Sequence, residues 1–511
     1  MKSITLKNHL LLLASGLCFA FLFWKQQAAL NVFLFSTILS ALALYGNKAA
    51  WKNRLVQLTI IGSIFTGIMV VWNNSLAAII IHIIFFYALI GAIQAQSLKS
   101  LVFSLYQVLL SYRAFPKTIF EVDTQMDTKP INRRSKWLYH FSLSLIPILI
   151  VVVFYVLYAL ANPRFLSLSN QFWSSIGNAL QQFYDSLSIG FILFTCLGLI
   201  ISAGVLFKYT RKSVAAWEDA QSEFIRRQRK QLDYSLPAHG LKREYRIALL
   251  LLVLVNGLLL IVNAIDINWL WFGFTVPDGF NLKQFVHEGT YVLIFSILLS
   301  IGIILYFFRR NLNFYPNNKW LIGLANSWMV QNLILAISVA LRNYYYIHVH
   351  ALAYKRIGVT FFLLLTVIGL LSMLVKINRH KSFFYLLRVN ALGWYALLII
   401  MSAINWNLVL VNYNLNHWNP KGVDVDFYFD LSPRVSPILE QNLPTIEKQI
   451  EANVAANNYW EEYKDIESFK DELAHRKSEW LNACSEYGWP SWNYMDQQAL
   501  NQLMLGRYAT K

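Results

Sequence analysis

Three short stretches carry the side chains best suited to chemistry. His287 and Glu288 stand together at the start of one apolar run; Arg342 and Tyr345, with His348 and His350, follow another; Tyr354, Lys355 and Arg356 open the next. Guanidinium and ammonium groups flanked by phenols hold phosphate or carboxylate through charge-assisted hydrogen bonds. Arg342, Lys355 and Arg356, with Tyr345 and Tyr354, therefore outline a site for an anion or lipid headgroup facing the His287–Glu288 pair. His348 and His350, joined by His287 and Glu288, offer the imidazole and carboxylate donors of a zinc or iron site. His-x-His is a weak signal on its own, because side chains two residues apart on a helix diverge. The structural alternative is an ion-pair network between Glu288 and the cations, which gathers the same charges without a ligand. Asp424 and Asp426 have the spacing of a metal-binding pair but no nucleotide-binding pattern around them. They read equally as the polar face of a short strand formed with Val423, Val425, Phe427 and Phe429. There is no Gly-rich phosphate loop, Gly-x-Ser-x-Gly or His-Glu-x-x-His, so no catalytic residue is assigned and no cofactor is implied.

Composition says what must position these residues. Of 511 residues 57% are hydrophobic and 14% charged, with mean hydropathy +0.43 and net charge +17. Soluble domains average roughly 45–50% apolar and about 25% charged. The balance excludes a soluble enzyme, a disordered chain and a disulfide scaffold, and predicts an all-α polytopic membrane protein. Cys18 and Cys196 lie in apolar runs and Cys484 is alone in a polar tail, so no disulfide framework is expected. Lys2 and Lys7 before an apolar stretch resemble a signal peptide, but no small-residue cleavage site follows, and the stretch reads as a retained helix.

A hydrocarbon core of about 30 Å needs roughly 20 helical residues. Eleven runs approach this: 10–24, 28–45, 55–72, 76–93, 138–160, 188–207, 247–262, 289–308, 320–341, 357–375 and 389–411. With the amino terminus in the cytoplasm, 29 of the 35 Lys and Arg before residue 412 fall on inner segments and six on outer ones (Lys25, Arg164, Lys283, Arg342, Lys355 and Arg356). That asymmetry is the positive-inside pattern, and the basic surplus is topological rather than a sign of nucleic acid. All three chemistry-bearing stretches map to the outer face, where Arg342, Lys355 and Arg356 run against the bias.

The eleven runs hold no Asp or Glu. Their polar residues, His82, Asn256, Asn326, Gln331 and Asn332, suit hydrogen bonds between helices. Residues 162–187 predict an amphipathic helix lying on the outer leaflet or capping the bundle, and residues 217–232, with Arg226, Arg227, Arg229 and Lys230, a second one inside. The tail, 412–511, is acidic, with net charge −6 against +23 for residues 1–411. Helices are expected near 445–453 and 461–482. The division is a four-helix membrane segment at 1–97, a cytoplasmic linker at 98–137, a seven-helix membrane core at 138–411 and a small, mainly helical extracytoplasmic domain at 412–511.

The motifs His287-Glu288-Gly289-Thr290, Leu305-Tyr306-Phe307-Phe308, Leu312-Asn313-Phe314-Tyr315, Arg342-Asn343-x-Tyr345-Tyr346-Ile347 and Leu352-Ala353-Tyr354-Lys355-Arg356-Ile357-Gly358 resemble a bacterial multi-pass membrane family catalogued as a domain of unknown function, numbers 4153 and 4173. The resemblance covers about residues 138–500, reaching Trp489-Pro490-Ser491-Trp492-Asn493 and leaving the first four helices outside. It implies an integral membrane protein and carries no activity. The expectation is a non-enzymatic scaffold or sensory component of a Gram-negative inner membrane. Its partners would be the lipid bilayer, an anionic lipid or small anion, and a membrane protein. A secondary transporter or a membrane-embedded lipid-modifying enzyme is the alternative.

Overall fold

A computed structural model describes residues 6–120, 189–207, 213–227, 240–272, 282–309, 311–417, 423–456 and 465–509, with isolated positions at 151, 155, 162, 164, 165, 167 and 463. All of the expected span 138–160 but residues 151 and 155, most of the amphipathic segment 162–187, and Arg229 and Lys230 lie outside the described residues. The regular structure described is helical. The one β feature among these residues is an isolated antiparallel bridge between Phe224 and Lys381.

The helices are α1 (Leu6–Phe23), α2 (Leu30–Gly46), α3 (Arg54–Asn73), α4 (Leu76–Gln94), α5 (Leu101–Phe120), α6 (Ile189–Leu206), α7 (Ser213–Asp219) and α8 (Gly240–Asp266), which continues as a π-helical turn, Ile267–Trp271. Then come α9 (Leu282–Phe307), α10 (Lys319–His350), α11 (Tyr354–Asn378), α12 (Phe383–Ala403), α13 (Trp406–Leu415), α14 (Leu443–Ala455), α15 (Ile466–Glu486) and α16 (Tyr494–Ala509). Among the described residues eight are long and apolar enough to cross a membrane: α3, α4, α6, α8 with its π turn, α9, α10, α11 and α12. Eleven were expected. The apolar part of α1, His9–Phe23, and α2, at 17 residues, fall short of the bilayer length. The last expected run, 389–411, is two helices, because the side chain of Asn405 accepts from Leu408 N (3.2 Å) and starts α13 afresh.

Apolar side chains gather into three main clusters. One draws on α1–α6 and α12, with Phe85 against Tyr395 (ring centroids 3.9 Å). A second joins α8–α12 around Leu252, Ile297, Ala325 and Leu370. Polar residues inside the membrane part bind helices together, as their types predict: His82 lies between Ser36 Oγ (2.8 Å) and Thr66 Oγ1 (3.1 Å), linking α2, α3 and α4.

The third cluster belongs to the tail but is completed by membrane helices: Tyr428, Leu431, Ile446 and Phe469 pack with Ile357 of α11 and with Leu410 and Val411 of α13. The expected strand over 423–429 is a turn of helix, Phe427–Asp430. Asp424 Oδ1 accepts from Phe427 N (3.0 Å), closing a turn, and Asp426 Oδ1 accepts from the distant Tyr463 N (3.4 Å), so the two carboxylates serve different contacts instead of lining a strand face. Helices α14 and α15 fall where the sequence places them, and α16 is an addition.

Loops contact one another in two sets at opposite helix ends. On one, the α1–α2 loop meets the tail through Gln26, whose Oε1 accepts from Gly488 N and Ser491 Oγ (both 2.8 Å), and through Gln27 N donating to Ser491 Oγ (2.8 Å). The α3–α4 loop meets it where Arg434 Nη1 donates to Asn74 O (2.7 Å), and Trp72 stacks on Tyr494. The α10–α11 loop is tied to α13 by reciprocal bonds between Leu352 and Asn414 (2.9 and 3.0 Å).

At the other end, Lys99 N donates to Glu218 Oε2 (2.8 Å), and Glu223 pairs with Lys381 and Arg388. Of the expected helix 217–232 the described part is helical only as far as Asp219, where α7 stops, and residues 222–225 pair with the α11–α12 loop instead: Ile225 N donates to His380 O (2.9 Å) and Ser382 N to Glu223 O (2.8 Å).

Glu218 is 2% exposed, and burial holds its carboxyl above its ordinary value, with the Lys99 amide opposing. A raised acid contributes stability in its neutral form, present below about pH 4 and lost as pH rises through the folded-state value. Melting curves from pH 4 to 7 should therefore fall less steeply with pH for Glu218→Gln, which keeps the acceptor for Lys99 N. Identical slopes in the two proteins would show that Glu218 titrates normally.

The candidate outer-face site

The elements that place Arg342 are α8 and α10. Asn256 Nδ2 donates to Leu324 O (3.0 Å), Asn263 Nδ2 to Gln331 O (3.0 Å) and Trp271 Nε1 to Ser338 Oγ (3.0 Å), while Gln331 Nε2 donates back to Asn256 Oδ1 (2.9 Å). The first three pairs are 68, 68 and 67 residues apart, so the two helices run parallel and in register. Their polar positions recur every seven residues, Asn256 and Asn263 on one and Gln331, Ser338 and Tyr345 on the other, the period that keeps one face toward a partner helix. In lipid, where no water competes, such bonds hold helices at about 0.6 kcal/mol each.

At the end of this ladder Arg342 Nη2 meets Asp266 Oδ1 at 2.6 Å, their side chains only 9% and 5% exposed. Tyr345 Oη donates to Leu270 O (3.1 Å) within the π turn, and Gly289 lies so close that a Cβ there would stand 3.2 Å from Arg342 Nη1. Arg342 thus lies against α9 at Gly289, and it has a carboxylate partner, Asp266, that the sequence reading missed. Asp266 lies four residues beyond where the apolar run was ended, and only the seven-residue recurrence pointed to a longer helix. His287 and Glu288 lie on α9, and their side chains are outside the described residues.

The other cations are arranged differently. Arg356 turns back on its own loop: Nη1 donates to His350 O (2.6 Å) and to Ala351 O, and the guanidinium sits 4.5 Å from the Tyr346 ring centre. Ala351 has φ 62°, a left-handed conformation that this clasp holds. Tyr354 Oη donates to Asn407 Oδ1 (2.5 Å). Lys355 is exposed at the first turn of α11.

His348 and His350 diverge on α10. The His348 ring lies 6.1 Å from that of His417, and His350 packs on Tyr346 at 4.5 Å. Burial, then the neighbouring His348 and Arg356, hold the His417 imidazole below its ordinary value. Among the described residues no three His, Cys, Asp or Glu side chains come together as a metal would require.

Of the remaining polar candidates, Asn326 and Asn378 exchange two hydrogen bonds between α10 and α11 (2.9 and 3.0 Å), whereas Asn332 Nδ2 donates within α10, to Trp328 O (2.7 Å). Among the described residues, Arg342 is thus held in a buried ion pair, Arg356 in a loop clasp, and Lys355 is open to solvent.

A family model described as a domain of unknown function, DUF4153, matches residues 55–442. The match starts in α3, taking in two helices that the motif resemblance left outside, and stops before α14. No curated protein matches the chain, and no solved structure does.

Proposed function

The chain belongs to the DUF4153 family, a domain of unknown function, and has helices long and apolar enough to cross a membrane; we propose that it is a non-enzymatic scaffold or sensory component of a bacterial inner membrane. Its amino terminus would be cytoplasmic and its tail periplasmic. The tail-bearing end, with Arg342, Lys355, Arg356, His287 and Glu288, would meet an anionic headgroup, a small anion or a membrane-protein partner. The observation that carries this reading is the division of labour among the cations. Arg342 is committed to Asp266 and Arg356 to its loop carbonyls, while Lys355 is presented outward beside the exposed Tyr354 at a helix start. An ammonium at the positive end of a helix dipole, flanked by an amphipathic ring at headgroup depth, suits an anion.

Two further features support it. Basic residues such as Lys48, Lys52, Arg54, Lys99, Arg379 and Lys381 sit at the helix ends opposite the tail, as a cytoplasmic face would have them. Asn256, Asn263, Asn326 and Gln331 are used in helix-to-helix bonds, which favours a fixed bundle over a transport path.

The test is native mass spectrometry of the full chain in mild detergent with phosphatidylglycerol, phosphatidylcholine or inorganic phosphate. A lysine near a membrane surface contributes about 1 kcal/mol to anionic-lipid binding, so Lys355→Ala should weaken phosphatidylglycerol retention roughly fivefold and leave phosphatidylcholine unchanged. Phosphate retained in its place would assign a free anion. Equal retention of phosphatidylglycerol and phosphate by the two proteins would overturn the proposal.

A further inference from the structure

A cavity of about 220 Å³ lies where the tail meets the loops after α3 and α12. One wall comes from the membrane part, with Asn73, Asn405, Asn407 and Asn412, and the other from the tail, with Ser432, Arg434, Gln498 and Gln502. We propose that it binds a small, uncharged polyhydroxylated molecule, a single sugar unit or polyol. The proposal is independent of the cationic site.

Charge is the first argument. Among the described residues the one charged side chain lining the cavity is Arg434, and its guanidinium is already held by both oxygens of Asp496 (2.5 and 3.2 Å) and by Asn74 O. A carboxylate or phosphate entering here finds no uncommitted cation among these residues, and an ammonium finds no uncommitted anion.

Hydrogen-bonding capacity is the second. Among the described residues the side-chain amides of Asn412, Gln498 and Gln502 form no hydrogen bond within the chain. Asn407 spends its Oδ1 on Tyr354 Oη and Ser432 N, so its Nδ2 remains a donor. A primary amide presents a donor and an acceptor side by side, and a hydroxyl is both at once. Several amides facing one space therefore match adjacent hydroxyls better than any group of single character.

Shape is the third argument. Leu408, Val435, Ile438, Met495 and Ala499 line the rest of the cavity, an apolar surface suited to the C–H face of a sugar ring. The volume lies below the roughly 300–1,000 Å³ of pockets for drug-sized ligands, which limits the occupant to about one ring. Gln498 and Gln502 fall one helical turn apart on α16, and Leu408 and Asn412 likewise on α13. The lining is thus set by two rigid helices, one from each side of the joint, and an occupant bridges them.

The experiment uses the full chain in detergent, with thermal unfolding and calorimetric titration against glucose, galactose, N-acetylglucosamine and glycerol. Phosphate, succinate and the dipeptide Ala-Ala are the comparison probes. At least one polyol should raise Tm saturably. The double variant Asn412→Ala/Gln498→Ala should keep its ligand-free Tm, since neither amide has a partner to lose, and should bind at least tenfold more weakly. Leu408→Trp, which fills the cavity, should abolish the response, and Lys355→Ala should leave it intact. No shift with any polyol, an equal shift in the double variant, or a response to phosphate, succinate or the dipeptide alone would each overturn the assignment.

Discussion

Arg342→Ala should be among the most destabilising single substitutions in the chain, at about 3–5 kcal/mol, the usual result of stripping one partner from a buried ion pair. Asp266 explains why. Its Oδ1 takes its hydrogen bond from Arg342, and its Oδ2 has no hydrogen-bond partner among the described residues, with the residue 4% exposed. Without the guanidinium, a carboxylate is left unpaired where α8, α9 and α10 converge. Attraction within the pair does not by itself make it stabilising, because both charges also had to be taken out of water. The double variant Asp266→Leu/Arg342→Met, which removes both charges at similar volume, should recover most of the loss. Unfolding of the two variants in detergent decides the matter. If Arg342→Ala unfolds like the wild type, the pair is not buried as described; if the double variant is as weak as the single, Arg342 acts through contacts other than Asp266.

A second large effect is expected at the tail. Arg434 and Asp496, 13% and 12% exposed at their side chains, form a two-oxygen pair that also collects Trp480 Nε1 (3.1 Å), the Asn493 side chain and Asn74 O. Asp496→Ala should cost about 3–5 kcal/mol in local stability. Its effect should be confined to residues 488–509 and to the loops at Gln26 and Asn74, leaving the cluster around Leu252 and Ile297 unchanged. Hydrogen exchange reads this directly, as faster exchange at Leu30 N, whose acceptor is Trp492 O, with none at the α8–α10 ladder. Cys484 supplies a chemical readout. Burial, and then the Asp496 carboxylate, push its thiol up to about 11, so alkylation at neutral pH should be slow and should accelerate in the variant. Unchanged exchange and alkylation would mean that the tail is held by its apolar contacts alone.

The membrane helices are legible because lipid leaves the chain so little choice: a backbone that cannot find water must close its own hydrogen bonds over a long apolar run. Seven of the runs at 55–72, 76–93, 188–207, 247–262, 289–308, 320–341 and 357–375 recur as apolar helices with shifted ends. What hydropathy misjudges is where a helix goes on after its apolar residues stop. Asn263 and Asp266 continue α8 because α10 answers them, and no local pattern announces a partner so far along the chain. Asn405, in contrast, divides an apolar run because its side chain caps the helix that follows. Alternation over 423–429 imitates a strand, but Asp424 bonds to Phe427 N, and a side chain that satisfies the backbone three residues on makes a turn. Arg342, Lys355 and Arg356 stand out in the sequence as one group of charges, and the structure gives each a different surrounding. Their separate fates depend on Asp266, on the Ala351 carbonyl and on solvent, none of which residue spacing encodes.

The tail's grip on the first loop also has a bearing on time. Gln27 N and Ser491 Oγ are joined across 464 positions. At synthesis rates of about 5–20 residues per second, the α1–α2 loop waits on the order of half a minute or more between emerging and meeting its partner. During that interval the amide-bearing ends of α1 and α3 are uncovered. A chain whose last hundred residues fail to fold keeps them so, leaving Gln26, Gln27 and Asn74 without the partners that the tail supplies.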